Sequence, residues 1–369
     1  MANLNLEPLL KFSEILLDPK TERIPLSEWL DSYNSAKDGH LKYILHKCIP
    51  YTDSLNCQAI LDHVEADCPY EKCDLLSQLI NLGSADQELI MEWLLLQVET
   101  QTPRCKGHCV CSLIKLATEM IKRKMQWPIS SSINLLKLVN NQRCGLDCYL
   151  DFILVLIESK LNDHGYLEEL LSVLESNLNP KDYLPLDGTV DDQPEIIFKE
   201  ISNSMLLRKL LLPRLIILSQ LGPTKLEVQS LNQQIKSMED LISNAIHWSH
   251  HPFIDLYLEE DSMMLECLNS LIKVLAQTNE PAAHIIMQAF LDSINHDVSI
   301  YIEWLSDPES ADKSLRVLLT YLKLPNINSQ CSAMVKLFFN HLFKRIDGLW
   351  KKQLFPYNPS ALLKYQEKF

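Results

Sequence analysis

The sequence predicts an all-α protein, an irregular armadillo- or HEAT-like stack of helix pairs (an α-solenoid), and three observations predict it. Glycine occurs only 8 times in 369 residues, and no two glycines lie close enough to build a phosphate-cradling loop or a series of tight hairpins. Apolar residues recur at three-and-four spacing almost throughout, as in Leu41, Ile44, Leu45 and Cys48, or Leu265, Leu268, Leu271, Ile272 and Leu275. Strand-length alternation is nearly missing. Prolines punctuate the pattern at Ile49-Pro50, Trp127-Pro128, Gly222-Pro223, Glu280-Pro281 and Leu324-Pro325, so the helices are short and antiparallel. The chain exceeds the roughly 250–300 residues at which a single core stops growing, which favours a repeat stack or two lobes. Helix pairs of roughly 40–47 residues suit such a stack, but no strict period runs through it. Glu-Trp-Leu recurs at 28–30, 92–94 and 303–305 with unequal spacing and reads as repeated packing chemistry.

In chain order, MANLNLEPLLKFSEILLDPK has Glu7, Lys11 and Glu14 interrupting its apolar runs and no basic segment before them; it reads as an amphipathic helix, not a secretory leader. Hydrophobic residues make up 47% and charged ones 22%, enough to fill a core. The 11 cysteines are expected to be reduced thiols in an intracellular chain. Their densest cluster is Cys105-Lys106-Gly107-His108-Cys109-Val110-Cys111, with Cys68 and Cys73 upstream and Cys144 and Cys148 downstream. Zinc wants four thiolates or imidazoles, and Cys105 with His108 or Cys109 supplies two; the partner spacing is wrong, and Cys109 and Cys111 face different sides of a helix. Buried thiols at a loop-to-helix junction are the favoured reading, and no metal or cofactor is expected.

The basic stretch Ile121–Met125 reads as a helix C-terminus favoured by the macrodipole. The first 178 residues are taken as N-terminal helical repeats. Residues 179–196, with three prolines, a glycine and four aspartates up to Pro194, form an expected linker or functional loop, and 197–369 a C-terminal helical region. Met205–Leu221 is the most apolar run, and Arg208, Lys209, Pro213 and Arg214 within it argue against a membrane span. His247 and His251 stand four apart, a metal-ligand spacing, but Pro252 follows and the glutamate of the zincin pattern is absent; a satisfied surface cluster is expected. Glu259, Glu260 and Asp261 diverge in direction, which suits the start of a Ser262–Gln277 helix better than acid–base chemistry. Asp307-Pro308-Glu309 marks a helix start running to about Lys323. A helix from about Ser329 to Lys352 carries Val335, Phe338, Phe339, Leu342, Ile346, Leu349 and Trp350 on one stripe. Pro356 ends it, and Asn358-Pro359 restarts a helix of about ten residues, too short to be stable alone. Leu354, Phe355 and Tyr357 are its anchors, docking on the chain's own terminal repeat or on a partner.

Charge is unevenly placed around the net −14. From His251 to Asp312 there are twelve acids and one base, Lys273, while Cys331–Phe369 holds seven bases and two acids. An acidic face of that size repels nucleic acid; solvated helix faces are the favoured reading, and the functional ones are a surface for a basic partner or for the chain's own basic terminus folded back across it. The candidate partner contacts are therefore Glu259, Glu260, Asp261, Glu303 and Trp304 on the acidic stretch, with Leu354, Phe355, Tyr357 and Asn358 on the tail. No nucleophile elbow or recognisable nucleophile context occurs, so no enzyme activity, direct nucleic-acid binding or membrane partner is expected.

Three stretches, PFIDLYLEEDSMMLECLNSLIKVL (252–275), FLDSINHDVSIYIEWLSDPESADKSLRVLLTYLKL (290–324) and above all LFPYNPSALLK (354–364), resemble the protein Lines homolog family. Members look like longer helical proteins with a low-complexity insertion between the last two blocks; here one helix and a short connection separate them. The resemblance implies a non-enzymatic regulator in cytoplasm and nucleus, linked to segment-polarity and Wnt-type developmental signalling. It also implies binding to transcription factors of zinc-finger type. The competing expectation is a structural subunit of a nuclear complex of genome-maintenance type.

Overall fold

A computed structural model describes residues 6–17, 23–36, 39–53, 55–64, 69–83, 86–100, 108–142, 146–178 and 195–368. These are helical with short connections, and among them the sole β pairing is an isolated bridge between Ile24 and Thr52. Among the described residues no helix is long and apolar enough to cross a membrane. Contacts divide the chain into two units, Met1–Ser159 and Lys160–Phe369; of the linker expected at 179–196, residues 179–194 lie outside the described residues and the last two begin a helix.

The first unit holds α1 (Leu6–Leu17), α2 (Leu26–Ser35), α3 (Gly39–Lys47), α4 (Cys57–His63), α5 (Pro69–Asn81), α6 (Gln87–Thr100), α7 (His108–Lys122), α8 (Ile129–Gln142) and α9 (Leu146–Ser159). Each helix from α5 onward packs on the second one along as well as on its neighbour, so α5, α7 and α9 form one layer and α6 and α8 the other. That two-layer order is how stacked hairpins close a continuous core. The first-layer helices begin at residues 69, 108 and 146, a near-regular step that the sequence did not display as a residue motif. Tryptophans seal the layers from inside. Trp29 is fully buried, stacks on Tyr33 at 4.9 Å and donates its indole N–H to the Leu45 carbonyl at 3.0 Å. Trp127, at the predicted break, donates to Ser132 Oγ at 3.0 Å and meets Phe152 edge-on at 5.4 Å.

The second unit holds α10 (His164–Asn177), α11 (Glu195–Lys225), α12 (Val228–Ala245), α13 (Pro252–Tyr257), α14 (Asp261–Thr278), α15 (Glu280–Ser293), α16 (Val298–Ser306), α17 (Ala311–Leu322), α18 (Ile327–Gln330), α19 (Ala333–Lys351) and α20 (Ser360–Leu363). The centre is α14, which packs on α11, α15 and α17. Its buried residues, among them Leu265, Cys267, Leu268, Asn269, Leu271 and Ile272, go round most of the helix because neighbours cover it on several sides. The buried Asn269 side-chain oxygen accepts from Thr320 Oγ1 at 2.9 Å, which satisfies it. The basic residues of the most apolar run have a structural use. Arg208 is buried and donates to the Leu256 carbonyl, while Arg214 donates to the carbonyls of Leu174 and Leu178. Each guanidinium thus donates to carbonyls in the last turn or at the C-cap of a neighbouring helix, α13 or α10, although the Leu174 carbonyl also accepts the Leu178 N–H. Gly222 ends the apolar run as expected, at φ +51, and a Cβ there would stand 2.8 Å from Gln277 Oε1.

Two boundaries differ from expectation. Asp307 accepts from the N–H groups of Glu309 and Ser310, but residues 308–310 make only a turn, and α17 starts at Ala311. The sequence signal for a cap was real; the Ser310 hydroxyl, which donates to the Trp304 carbonyl at 2.9 Å, holds the turn against α16 and delays the helix. The helix expected from about Ser329 starts at Ala333, as α19, after the separate turn of α18; its end at Lys351 agrees with the expected Lys352, but it stops before Pro356 is reached. Gln353 sits at φ +58, its N–H donates to the Trp350 carbonyl, and the Leu354 N–H donates to the Leu349 carbonyl, each at 2.9 Å. This is a Schellman termination, with glutamine where glycine is usual. Lys124 and Asn295, at φ +67 and +53, close α7 and α15 in the same way. A chain poor in glycine ends helices with strained residues. Gln353→Gly is therefore expected to stabilise the second unit by about 0.5–1 kcal/mol. That is the roughly 1–2 kcal/mol of left-handed strain relieved, less what glycine's freer unfolded chain takes back; a urea midpoint that stays put or falls contradicts it.

Candidate protein-interaction site

The site is assembled from the ends of α14, α15 and α16. Asp297 caps α16 by accepting from the Ser299 N–H at 2.7 Å, which fixes the direction of Glu303 and Trp304 six and seven residues on. Trp304 is buried against Phe290 (centroids 5.9 Å) and Tyr301 (5.8 Å). Its indole N–H reaches out of that packing to Asp261 Oδ2 at 3.0 Å, holding the first residue of α14 beside α16. Asn295, in the left-handed region, turns the chain sharply after α15. Between these ends lies an open cavity of about 560 Å³ whose lining includes Asp261, Glu303, Trp304, Asp307, Glu309 and Ser310. Four carboxylates therefore border it. Lys313 stands at the edge, its ammonium 2.5 Å from Ser262 Oγ. Asp307 is already committed to the turn, whereas Glu303 and Glu309 are exposed.

The sequence-selected residues divide among different places. Asp261, Glu303 and Trp304 come together at this cavity. Glu259 instead pairs with Arg208 at 2.8 Å, its side chain 77% exposed against 8% for the arginine, and Glu260 precedes α14 without lining the cavity. Asp307 and Glu309 were absent from the sequence-based candidates because Asp-Pro-Glu carries a helix-start signal that masks any second use.

The tail is a separate feature. Phe355 is buried and Leu354 is 67% exposed, so one anchor is used internally and its neighbour is not. Phe355 meets Tyr357 edge-on at 4.8 Å, and Tyr357 lies within electrostatic reach of Tyr301. Burial pushes the Tyr357 phenol up to about 12, and its Oη is buried without a hydrogen-bond partner. Asn358 is exposed and caps the last turn, accepting from the Ser360 N–H at 3.0 Å. The restarted helix is shorter than expected: α20 spans Ser360–Leu363, followed by a 3-10 turn at Gln366–Lys368, and both pack on α19.

Of the metal candidates, Cys68, Cys105 and Cys144 and the side chains of His108 and Cys109 lie outside the described residues. Among the described residues no group of three or more His, Cys, Asp or Glu side chains is placed to hold a metal ion. His247 and His251 are not on a helix, since α12 ends at Ala245 and the chain runs irregularly to Pro252. There Asp255 collects the N–H groups of Ser249, His250 and His251 and the His250 ring. Burial alone would raise this carboxyl, but those hydrogen bonds outweigh it and hold Asp255 below its usual range.

No curated protein and no solved structure matches the chain. The blocks at 252–275 and 290–324 lie outside the one matched region, which begins within α19 and takes in the whole aromatic hook. Residues 338–369 match the family model described as Lines C-terminus, and that match supports the chain's membership of the Lines family.

Proposed function

We propose that the chain is a non-enzymatic helical adaptor that captures a basic segment of a protein partner at the acidic cavity between α14, α15 and α16. The observation that carries this reading is the convergence of Asp261, Glu303, Asp307 and Glu309 with the Trp304 edge around one open cavity. A lysine or arginine side chain fits both parts of such a wall, its stem along apolar surface and its cation among carboxylates. The resemblance to the Lines family, matched over residues 338–369, supports proposing zinc-finger transcription factors as the partner class, Wnt- or segment-polarity-type signalling as the setting, and cytoplasm and nucleus as the compartments. The basic faces that let such factors hold DNA are complementary to this surface.

Fluorescence anisotropy of a labelled Lys/Arg-rich peptide on the full chain tests the reading. Glu303→Lys combined with Glu309→Lys is expected to weaken binding about tenfold or more, and added salt to weaken wild-type binding steeply. Equal affinity of wild type and variant refutes it.

A second reading has its own support. A mostly apolar cavity of about 520 Å³ lies over Pro281, His284, Ile285, Gln288, Gln330 and Ser332, with Ile285 62% exposed. An apolar surface of that kind favours a permanent neighbour in a nuclear assembly. Under this reading the double charge reversal leaves partner recovery unchanged, and Ile285→Asp abolishes it.

A further inference from the structure

The first turns of α7 and α9 lie side by side. The two helices pack together, and each joins α8 through only a few residues, so they run in the same direction. Cys111 stands in the first turn of α7 and Cys148 in the first turn of α9. Their side chains are hydrogen-bonded, and Lys115 and Asp151, one turn further along each helix, both lie within electrostatic reach of Cys148. Both thiols are half-buried, whereas the other described cysteines, Cys48, Cys57, Cys73, Cys267 and Cys331, are buried. This pair is what the described part of the cysteine cluster builds, and neither residue belongs to the acidic cavity, which lies in the other unit.

We propose that Cys111 and Cys148 are a peroxide-sensitive thiol pair that closes to a disulfide joining the first turn of α7 to the first turn of α9. The two thiols have distinct parts in it. Burial, then the hydrogen bond and charge of Cys111, push the Cys148 thiol up to about 11, which suits Cys148 to the second, resolving step. A thiolate at a helix N-terminus is favoured by the unpaired N–H groups there. The Cys111 thiolate attacks one peroxide oxygen, the O–O bond breaks, and the departing hydroxide takes up a proton to leave as water. Cys111 is then a sulfenic acid. Cys148, losing its proton, attacks the Cys111 sulfur, the S–S bond forms and a second water leaves. In sum, two thiols and one peroxide give one disulfide and two waters, the sulfurs losing two electrons and the peroxide gaining them. A small-molecule dithiol reverses the reaction.

The test treats the full chain with stoichiometric hydrogen peroxide, blocks remaining thiols by alkylation and maps peptides without reduction. The expected result is a Cys111–Cys148 crosslinked peptide that disappears after dithiothreitol. In Cys148→Ser, dimedone is expected to trap a sulfenic acid at Cys111. In Cys111→Ser, oxidation of Cys148 is expected to slow about tenfold or more. The wild-type map needs no variant to fold. Peroxide that joins other cysteines first, or that leaves Cys111 and Cys148 fully alkylatable, overturns the proposal.

Discussion

Phe339→Ala is expected to lower the stability of the second unit by about 3–5 kcal/mol, the usual cost of emptying a buried aromatic site. Phe339 is fully buried. It stacks on Tyr321 at 5.6 Å and on Phe343 at 6.1 Å, and meets Phe338 edge-on at 5.5 Å. Phe338 in turn meets Tyr301 at 6.0 Å, and Tyr301 braces Trp304. The ring is thus the step by which α19 is joined both to α17 and to the wall of the acidic cavity. Truncation removes its dispersion contacts on two faces, and rigid rings close a void poorly. Tyr321 also loses its stacking neighbour while its hydroxyl stays bonded to His284 Nδ1 at 2.9 Å, which limits how far it can slide into the gap. Leu337→Ala, two residues away and 49% exposed, is the control and should cost under about 0.5 kcal/mol. Urea unfolding of both variants decides the matter: comparable losses would mean that the aromatic ladder is not what holds the terminal helices.

The ladder also shows how much was legible in advance. Of the seven residues in the three-and-four stripe, Val335, Phe338, Phe339, Leu342 and Ile346 are buried and Leu349 is half-buried. Period alone suffices there, because a helix with one covered face must carry its apolar residues at that spacing. Phe343, also buried, was missed because it sits at the stripe's margin, and Trp350, counted in the stripe, is 39% exposed. The acidic site was half legible. Composition announced an acid-rich stretch, and Asp261, Glu303 and Trp304 were named from it. Which carboxylates converge is a tertiary fact: Glu259 is taken up by Arg208, 51 residues earlier, and no local pattern encodes that distance. The same limit hid the thiol pair, whose members lie on helices that touch only after α8 has turned the chain back. Glycine scarcity excluded strand-rich folds correctly; that Lys124, Asn295 and Gln353 would then bear the left-handed caps follows from the same scarcity, but the positions depend on where each helix meets its neighbour.

Acidification from pH 7.5 to 5 is expected to destabilise the second unit, and His251→Gln to remove a large part of that loss. His251 follows α12 at the foot of α13, with its side chain 18% exposed, its ring stacked on Phe253 at 6.1 Å and Nδ1 buried without a partner. Burial pulls its pKa down to about 4, against which the charge of Asp255 works only weakly. Glu239 Oε1 lies 3.5 Å from Nε2, but burial raises that carboxyl toward its neutral form, so it gives little help to a proton on the ring. The native state thus keeps the imidazole neutral at a pH where the unfolded chain protonates it. Because the folded pKa is depressed below the unfolded value near 6.5, stability is full above that pH and declines as the pH falls toward 4. The slope approaches about 1.4 kcal/mol per pH unit for one proton, and the whole contribution is about 3 kcal/mol. Glu239 acts in the opposite sense nearer its own range, so the informative window is pH 6.5 to 5. His284, lowered by burial in the same unit, leaves a residual slope in the variant. Denaturant midpoints of wild type and His251→Gln across that window provide the measurement. Parallel curves would show that this imidazole gains its proton as easily in the folded chain as in the unfolded one.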